Sequence, residues 1–193
     1  MANNIVLTSC GIINEDFKAR FYAIASKERV GEMKLLYITT AADGEDGEKS
    51  WLDKEFQTIL ALGFKPENIV EYKIGQSDEN VMDFDAIYMM GGNTFYLLDM
   101  IRKTGFGETI KAFIDAGKIY IGSSAGSEIM SDSIEPALGY DENNVGMTDY
   151  TGLGIVSGIV VPHCARKQDY LASVSDEVRA KLILLYDGDG MIL

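Results

Sequence analysis

Ser124, at the centre of Gly122-Ser123-Ser124-Ala125-Gly126, is the residue of this chain best suited to covalent chemistry. The run Lys118-Ile119-Tyr120-Ile121 before it reads as a short buried strand, and Glu128-Ile129-Met130 after it is compatible with a helix. A strand, a sharp turn holding a serine and then a helix make the nucleophile elbow G-x-S-x-G, which strains the serine backbone and lifts its hydroxyl to the carboxyl edge of a sheet. Glycines two residues to either side leave room for strand and helix to pass close together. The same residues also suit a plain glycine-rich link between strand and helix. His163 is the one histidine in the sequence, so if an imidazole activates Ser124, His163 supplies it. It ends the β-branched run Gly154-Ile155-Val156-Ser157-Gly158-Ile159-Val160-Val161-Pro162. That again is a carboxyl edge, where open α/β sheets keep their sites. A partly buried strand-end histidine with a satisfied ring is the competing reading.

A second glycine motif, Met90-Gly91-Gly92-Asn93-Thr94, follows an apolar strand and precedes a helix. Glycines there let backbone N–H groups point into a cleft, and Asn93 or Thr94 can cap the helix. The spacing matches neither phosphate-binding glycine pattern. An oxyanion hole fits better, because acyl transfer builds negative charge on a carbonyl oxygen that two fixed N–H donors stabilise. The amides of Gly92 and Ala125 are the candidates, with a helix cap alone as the alternative. Asn93 and Arg166 are the candidates for substrate contact.

Strands and helices alternate along the chain and would position these groups. Strands are expected at residues 4–9, 34–39, 68–74, 86–90, 118–122, 155–161 and 182–186, and helices at 14–27, 51–62, 94–102, 108–116 and around 175–181. The segment Ala42-Asp43-Gly44-Glu45-Asp46-Gly47 reads as an exposed loop, and residues 131–151 as a polar loop or lid over the site. Alternation implies crossover connections and a mainly parallel sheet covered by helices on both faces. The continuous apolar strands agree. The 193 residues read as a single α/β domain, residues 1–193, without an internal repeat or a dividing linker.

A net charge of −13 argues against nucleic acid and against anionic membranes as partners, since both need clustered Lys and Arg. No apolar run approaches the roughly 18 residues of a membrane span. Met1-Ala2-Asn3-Asn4 lacks the basic and apolar regions of a signal peptide. Two cysteines, Cys10 and Cys164, suggest no disulfide framework, so a reducing cytoplasm is the expected location. With one histidine and no Cys/His cluster, no metal or other cofactor is expected. A homodimer is compatible with a small α/β enzyme.

Taken together, Gly91-Gly92-Asn93-Thr94-Phe95-Tyr96-Leu97-Leu98, Ile121-Gly122-Ser123-Ser124-Ala125-Gly126 and Val161-Pro162-His163 resemble the peptidase E and cyanophycinase family of serine peptidases. The resemblance implies a class I glutamine amidotransferase-like fold, with Ser124 as nucleophile, His163 as general base and the amides of Gly92 and Ala125 as oxyanion donors. In that family the acid is a Glu or Asp followed by Gly after the last core strand, which points to Asp187, with Asp189 second. The chain order of an α/β-hydrolase would select Asp132, Asp141 or Asp149 instead. The family's dipeptidases prefer an amino-terminal aspartate, held by an arginine after the histidine. Arg166 and Arg179 follow His163, but neither aligns with that position. Family members continue into further strands after the acid, so a sequence reaching Leu193 implies a reduced carboxyl-terminal part of the site.

The function expected is hydrolysis of short peptides, Asp-X dipeptides among them, by a Ser-His-Asp triad through an acyl-enzyme. A non-hydrolytic amidotransferase-like domain that binds a ligand or partner is the alternative, and the reach of Asp187 or Asp189 to His163 discriminates. Amidotransferase-like chemistry on a cysteine is weaker. Cys164 adjoins His163 on a strand and should face the other side, while Cys10 can line the cleft but has no elbow around it.

Overall fold

The computed structural model describes residues 4–77 and 79–193; the signal-peptide reading of Met1 to Asn3 lies outside them. The chain runs β1 (Ile5–Thr8), α1 (Glu15–Ala25), α2 (Lys27–Val30), β2 (Leu35–Ile38), α3 (Ser50–Ala61), β3 (Ile69–Tyr72) and β4 (Ala86–Met89). It continues with α4 (Thr94–Thr104), α5 (Phe106–Asp115), β5 (Ile119–Ser123), α6 (Ala125–Glu128), β6 (Ile159–Val161), α7 (Gln168–Ser173), α8 (Asp176–Arg179), β7 (Leu182–Leu184) and β8 (Gly190–Ile192).

Six strands form one sheet in the order β3-β2-β4-β5-β1-β8. All neighbours are parallel except β8, which lies antiparallel on β1. The central strands are short and wholly buried because both faces are covered. Alternate residues feed two cores. Leu7, Ile87, Met89 and Tyr120 pack with α4 and α5 residues such as Leu97 and Ile110. Val6, Tyr88, Ile119 and Ile121 pack with Phe17 and Phe21 of α1 and Ile59 of α3. The expected α/β class, with helices on both faces, is therefore the class observed.

The differences from the sequence reading are local. β6 and β7 do not join the main sheet; they pair with each other, in parallel, as a separate two-stranded sheet. β8, α2 and α7 were not expected. The Ala42 to Gly47 segment is only partly a loop, because residues Thr40–Gly44 form a 3-10 turn that buries Ala41 and Ala42. Residues 131–151 are irregular, as expected, around a 3-10 turn at Glu135–Ala137. They are moored by Ile134 N–H to Tyr150 O, Gly152 N–H to Asp132 O, and Asn144 Nδ2 to Gly44 O.

A very close backbone approach lies at the turn from β5 into α6. A Cβ added to Gly126 would sit 2.0 Å from the Met89 carbonyl oxygen of β4, and one on Gly122 would sit 2.6 Å from the Gly126 oxygen. Both obstacles are backbone, so no side chain can swing away. Gly126→Ala should therefore lower stability by about 1–3 kcal/mol or more. Urea denaturation checks this, and an unchanged midpoint would count against so tight a crossing.

Candidate active site

The register of the parallel strands collects the reactive groups. Met89 stands opposite Gly122 and Thr8 opposite Ser123, so the residues that follow β4, β5 and β1 leave the sheet at one level. Those residues are Gly91 and Gly92, Ser124, and Ser9. Ser124 has φ 48° and ψ −112°, outside the regions open to ordinary L-residues. Its N–H donates to Thr8 O, and its carbonyl accepts from Ser127 and Glu128 N–H. These bonds from both sides hold the strained turn, and the expected elbow is present in full.

The same logic applies in the small sheet. Val161 pairs with Leu184, Leu185 N–H donates to Val161 O, and Cys164 N–H donates to Leu185 O. His163 and Asp187 thus leave adjacent parallel strands side by side. His163 Nδ1 lies 2.5 Å from Asp187 Oδ1, and His163 Nε2 lies 3.1 Å from Ser124 Oγ. His163 itself is in the left-handed region, φ 51°. Its N–H donates to Ser9 Oγ at 2.7 Å, and that hydroxyl donates to Asp187 Oδ1 at 2.8 Å. Ser9 therefore ties the base, the acid and β1 together. Nothing in its local sequence announces this; only the pairing of β1 with β5 brings it there.

The other candidate aspartates lie elsewhere. Asp189 closes a turn with its backbone N–H onto Tyr186 O. Asp132 accepts from Gly158 N–H, Asp141 from Thr94 N–H, and Asp149 from Thr151 and Arg102. None of these four reaches the ring among the bonds of the described residues. Asp187 is the carboxylate at His163.

Burial pushes the His163 imidazole below its ordinary value of 6.5; Asp187 opposes this, while Arg166 and Lys167 reinforce it. Burial alone would raise Asp187. The Ser9 hydrogen bond, the His163 ring and the Arg166 charge outweigh that and hold it below the usual carboxylate value. Near neutral pH the pair is thus a neutral imidazole beside a carboxylate, with Nε2 free to accept a proton.

Gly92 has φ 134°, and a Cβ there would lie 2.5 Å from the Ala41 carbonyl carbon. Only glycine fits this turn. Gly92 makes no hydrogen bond among the described residues and lines the cleft beside Ser124. Ala125 is the first residue of α6, so its N–H has no acceptor within the helix.

Two expected substrate contacts are different in the structure. Asn93 is 2% exposed; its Oδ1 caps α4 through Tyr96 N–H, and its Nδ2 donates to Glu142 O. Both ends of the amide are occupied in holding the helix and the 131–151 segment, so Asn93 does not line the cleft. Arg166 does line it, but its guanidinium donates to Asp187 Oδ2 at 2.9 Å. Arg179 donates to Leu171 O on the outer helices. Cys164 is not on a strand but in a 3-10 turn past β6, where it is buried with Ile159 and Val161, and Cys10 lines the cleft.

A buried ion pair lies behind the triad. Lys167, four residues after His163, meets Glu128, four residues after Ser124, at 3.0 Å. Their side chains are 7% and 1% exposed. Burial pushes the Glu128 carboxyl up to about 7 despite Lys167. The pair joins the elbow helix to the histidine loop. Sequence reasoning missed it because each residue reads as an ordinary surface charge. Among the described residues no helix is long and apolar enough to cross a membrane, and no group of three or more His, Cys, Asp or Glu could hold a metal ion.

Comparison with known proteins gives concordant matches. The family model of peptidase family S51 matches residues 5–192. An uncharacterised peptidase of Listeria monocytogenes is 33% identical over 162 residues, 82% of this chain and 76% of that protein. Peptidase E of Shewanella amazonensis is 34% identical over 72% of this chain; the match spans 56% of that protein, less than two thirds of its length. A crystal structure of a candidate peptidase E protein from Listeria monocytogenes EGD-e superposes with a TM-score of 0.79 at 24% identity, covering 98% of this chain and 93% of that one. That likeness carries the class I glutamine amidotransferase-like fold.

Removing one member of the Glu128–Lys167 pair leaves the other buried without its partner. Lys167→Met should cost about 3–5 kcal/mol at pH 8. Lys167 lowers the Glu128 carboxyl, so its loss raises that group further. The penalty then falls as pH drops and Glu128 takes up a proton. Denaturant unfolding at pH 8 and pH 5 checks this; an equal loss at both would mean that Glu128 carries no charge in the wild-type fold.

Proposed function

The chain belongs to peptidase family S51 and is a serine-type peptidase, and from that premise we propose that it hydrolyses short peptides through an acyl-enzyme on Ser124. The observation that carries this reading is the continuous line from Asp187 Oδ1 through the His163 ring to Ser124 Oγ, with separations of 2.5 and 3.1 Å. His163 Nε2 takes the hydroxyl proton as Ser124 Oγ attacks the scissile carbonyl carbon. Asp187, on Nδ1–H, fixes the tautomer and stabilises the imidazolium. The carbonyl oxygen becomes an oxyanion, received by the N–H groups of Gly92 and Ala125. The tetrahedral species collapses, the C–N bond breaks, and Nε2–H protonates the leaving amine. Water then attacks the ester, giving its proton to Nε2, and Ser124 Oγ leaves as the hydroxyl with that proton.

Ser9 and Arg166 serve this cycle by fixing the Asp187 carboxylate in place. The non-hydrolytic alternative loses its discriminating support, because Asp187 is in reach of the ring.

Two outcomes test the reading. A small fluorophosphonate should add once to the wild-type protein, by intact mass, and not to Ser124→Ala or His163→Ala. Both variants should lose at least about a thousandfold in kcat against a peptide panel; labelling that survives in Ser124→Ala would displace the nucleophile. The acidic limb of kcat/KM should fall below pH 6.5, because catalysis needs neutral His163 and burial lowers it. Asp187 raises the imidazole, so Asp187→Asn should move that limb still lower while reducing kcat. A limb that moved upward would contradict the assignment of Asp187.

A further inference from the structure

The cleft in front of Ser124, about 550 Å³, holds more carboxylate than the catalytic unit uses. Glu45, Glu55 and Asp141 line it against two cations, Lys54 and Arg166. Arg166 is bound to Asp187, and Lys54 is exposed at the rim. Asp141 accepts the Thr94 N–H and Glu55 the Tyr88 hydroxyl, neutral donors in both cases. The Glu45 carboxylate has no hydrogen bond or ion pair among the described residues. Burial pushes Glu55 up. Burial and then Asp141 push Glu45 up, and Lys49 opposes this without reversing it. Glu45 and Glu55 are thus partly withdrawn from water, and neither is ion-paired among the described residues.

A second observation points to the same place. Ser123 is 1% exposed, lines the cleft, and its hydroxyl finds no hydrogen bond of normal geometry among the described residues. It lies close enough to Glu55 to favour the charged carboxylate. A donor that reached Ser123 and Glu55 would stand beside Ser124. Ile13 and Trp51 supply apolar wall.

We infer that Glu45, Glu55 and Asp141 are specificity determinants that select short peptides presenting a positive charge to the cleft, an α-ammonium or a basic side chain, and that they disfavour an amino-terminal aspartate. The inference rests on the acyl-enzyme reading of this site. A cation entering the cleft gains attraction in a partly desolvated setting, whereas a substrate carboxylate meets three like charges and an arginine already paired with Asp187.

The test is kcat/KM, per active site counted by fluorophosphonate titration, on Lys-Leu, Ala-Leu and Asp-Leu and their N-acetyl forms. The expected result is a preference of about tenfold or more for the free-amine Lys and Ala peptides over Asp-Leu. If the α-ammonium is the group read, acetylation abolishes turnover of both. If the side chain is read, N-acetyl-Lys-Leu remains a substrate and N-acetyl-Ala-Leu does not. Glu55→Gln keeps an acceptor for Tyr88, and Glu45→Gln alters a side chain without partners, so both should fold. Each should narrow the preference several-fold. Preference for Asp-Leu, or an unchanged preference in both variants, overturns the inference while leaving the acyl-enzyme reading standing. Absence of any Ser124 adduct overturns both.

Discussion

The strained backbone at Ser124 is the constraint around which the rest of the site is arranged. A serine at φ 48° and ψ −112° sits in a conformation that costs on the order of 1–3 kcal/mol unless its surroundings enforce it. Enforcement comes from three directions. β1 takes the Ser124 N–H, α6 bonds its carbonyl, and the Gly122–Gly126 contact brings helix and strand too close for any other turn. The outcome is a hydroxyl fixed by main chain on both sides, so little reorganisation is needed when it reacts.

Positioning the base required a second, independent structure. His163 and Asp187 come from a two-stranded parallel sheet outside the main one. Parallel pairing puts both residues at the same end and at matching height. Val160 and Leu185 of this unit share the core of Ala125 and Ile129, and two polar links add to that packing: Ser9 on the cleft side and the Glu128–Lys167 pair behind it. A neutral hydroxyl contact and a buried charge pair differ in consequence. The first orients the acid and base; the second penalises separation of the histidine loop from α6, because either charge alone would be left in a dry interior.

Local chemistry made much of this legible in the sequence. The elbow, the histidine edge and the two-glycine turn are short-range patterns whose backbone demands only certain residues meet, and the structure has all three. Asp187 was reached through resemblance, since spacing alone left five aspartates open. What stayed hidden depends on pairing. The sequence contains no sign that β6 and β7 form their own sheet, because two β-branched strands look alike wherever they pair. β8 was missed because Gly190-Met191-Ile192 is too short to show alternation. Ser9, Lys167 and Glu128 become functional neighbours only through long-range packing. Asn93 was misjudged for a different reason: a residue beside a glycine turn and before a helix can face the cleft or cap the helix, and the cap satisfied an otherwise orphaned N–H.

The charge balance of the chain sharpens the last point. A protein at −13 should, on average, favour protonated imidazole and so weaken a general base. His163 escapes this through burial first, and then through two cations that follow it closely in sequence, Arg166 and Lys167. Each is paired with a carboxylate, Asp187 for the former and Glu128 for the latter; Lys167 is buried in its pair, whereas Arg166 is mostly exposed. The cations near the base are thereby committed to carboxylates of their own, while the carboxylates across the cleft form no ion pair among the described residues. One sequence segment, residues 163–167, thus carries both the base and the two cations that help burial keep it neutral.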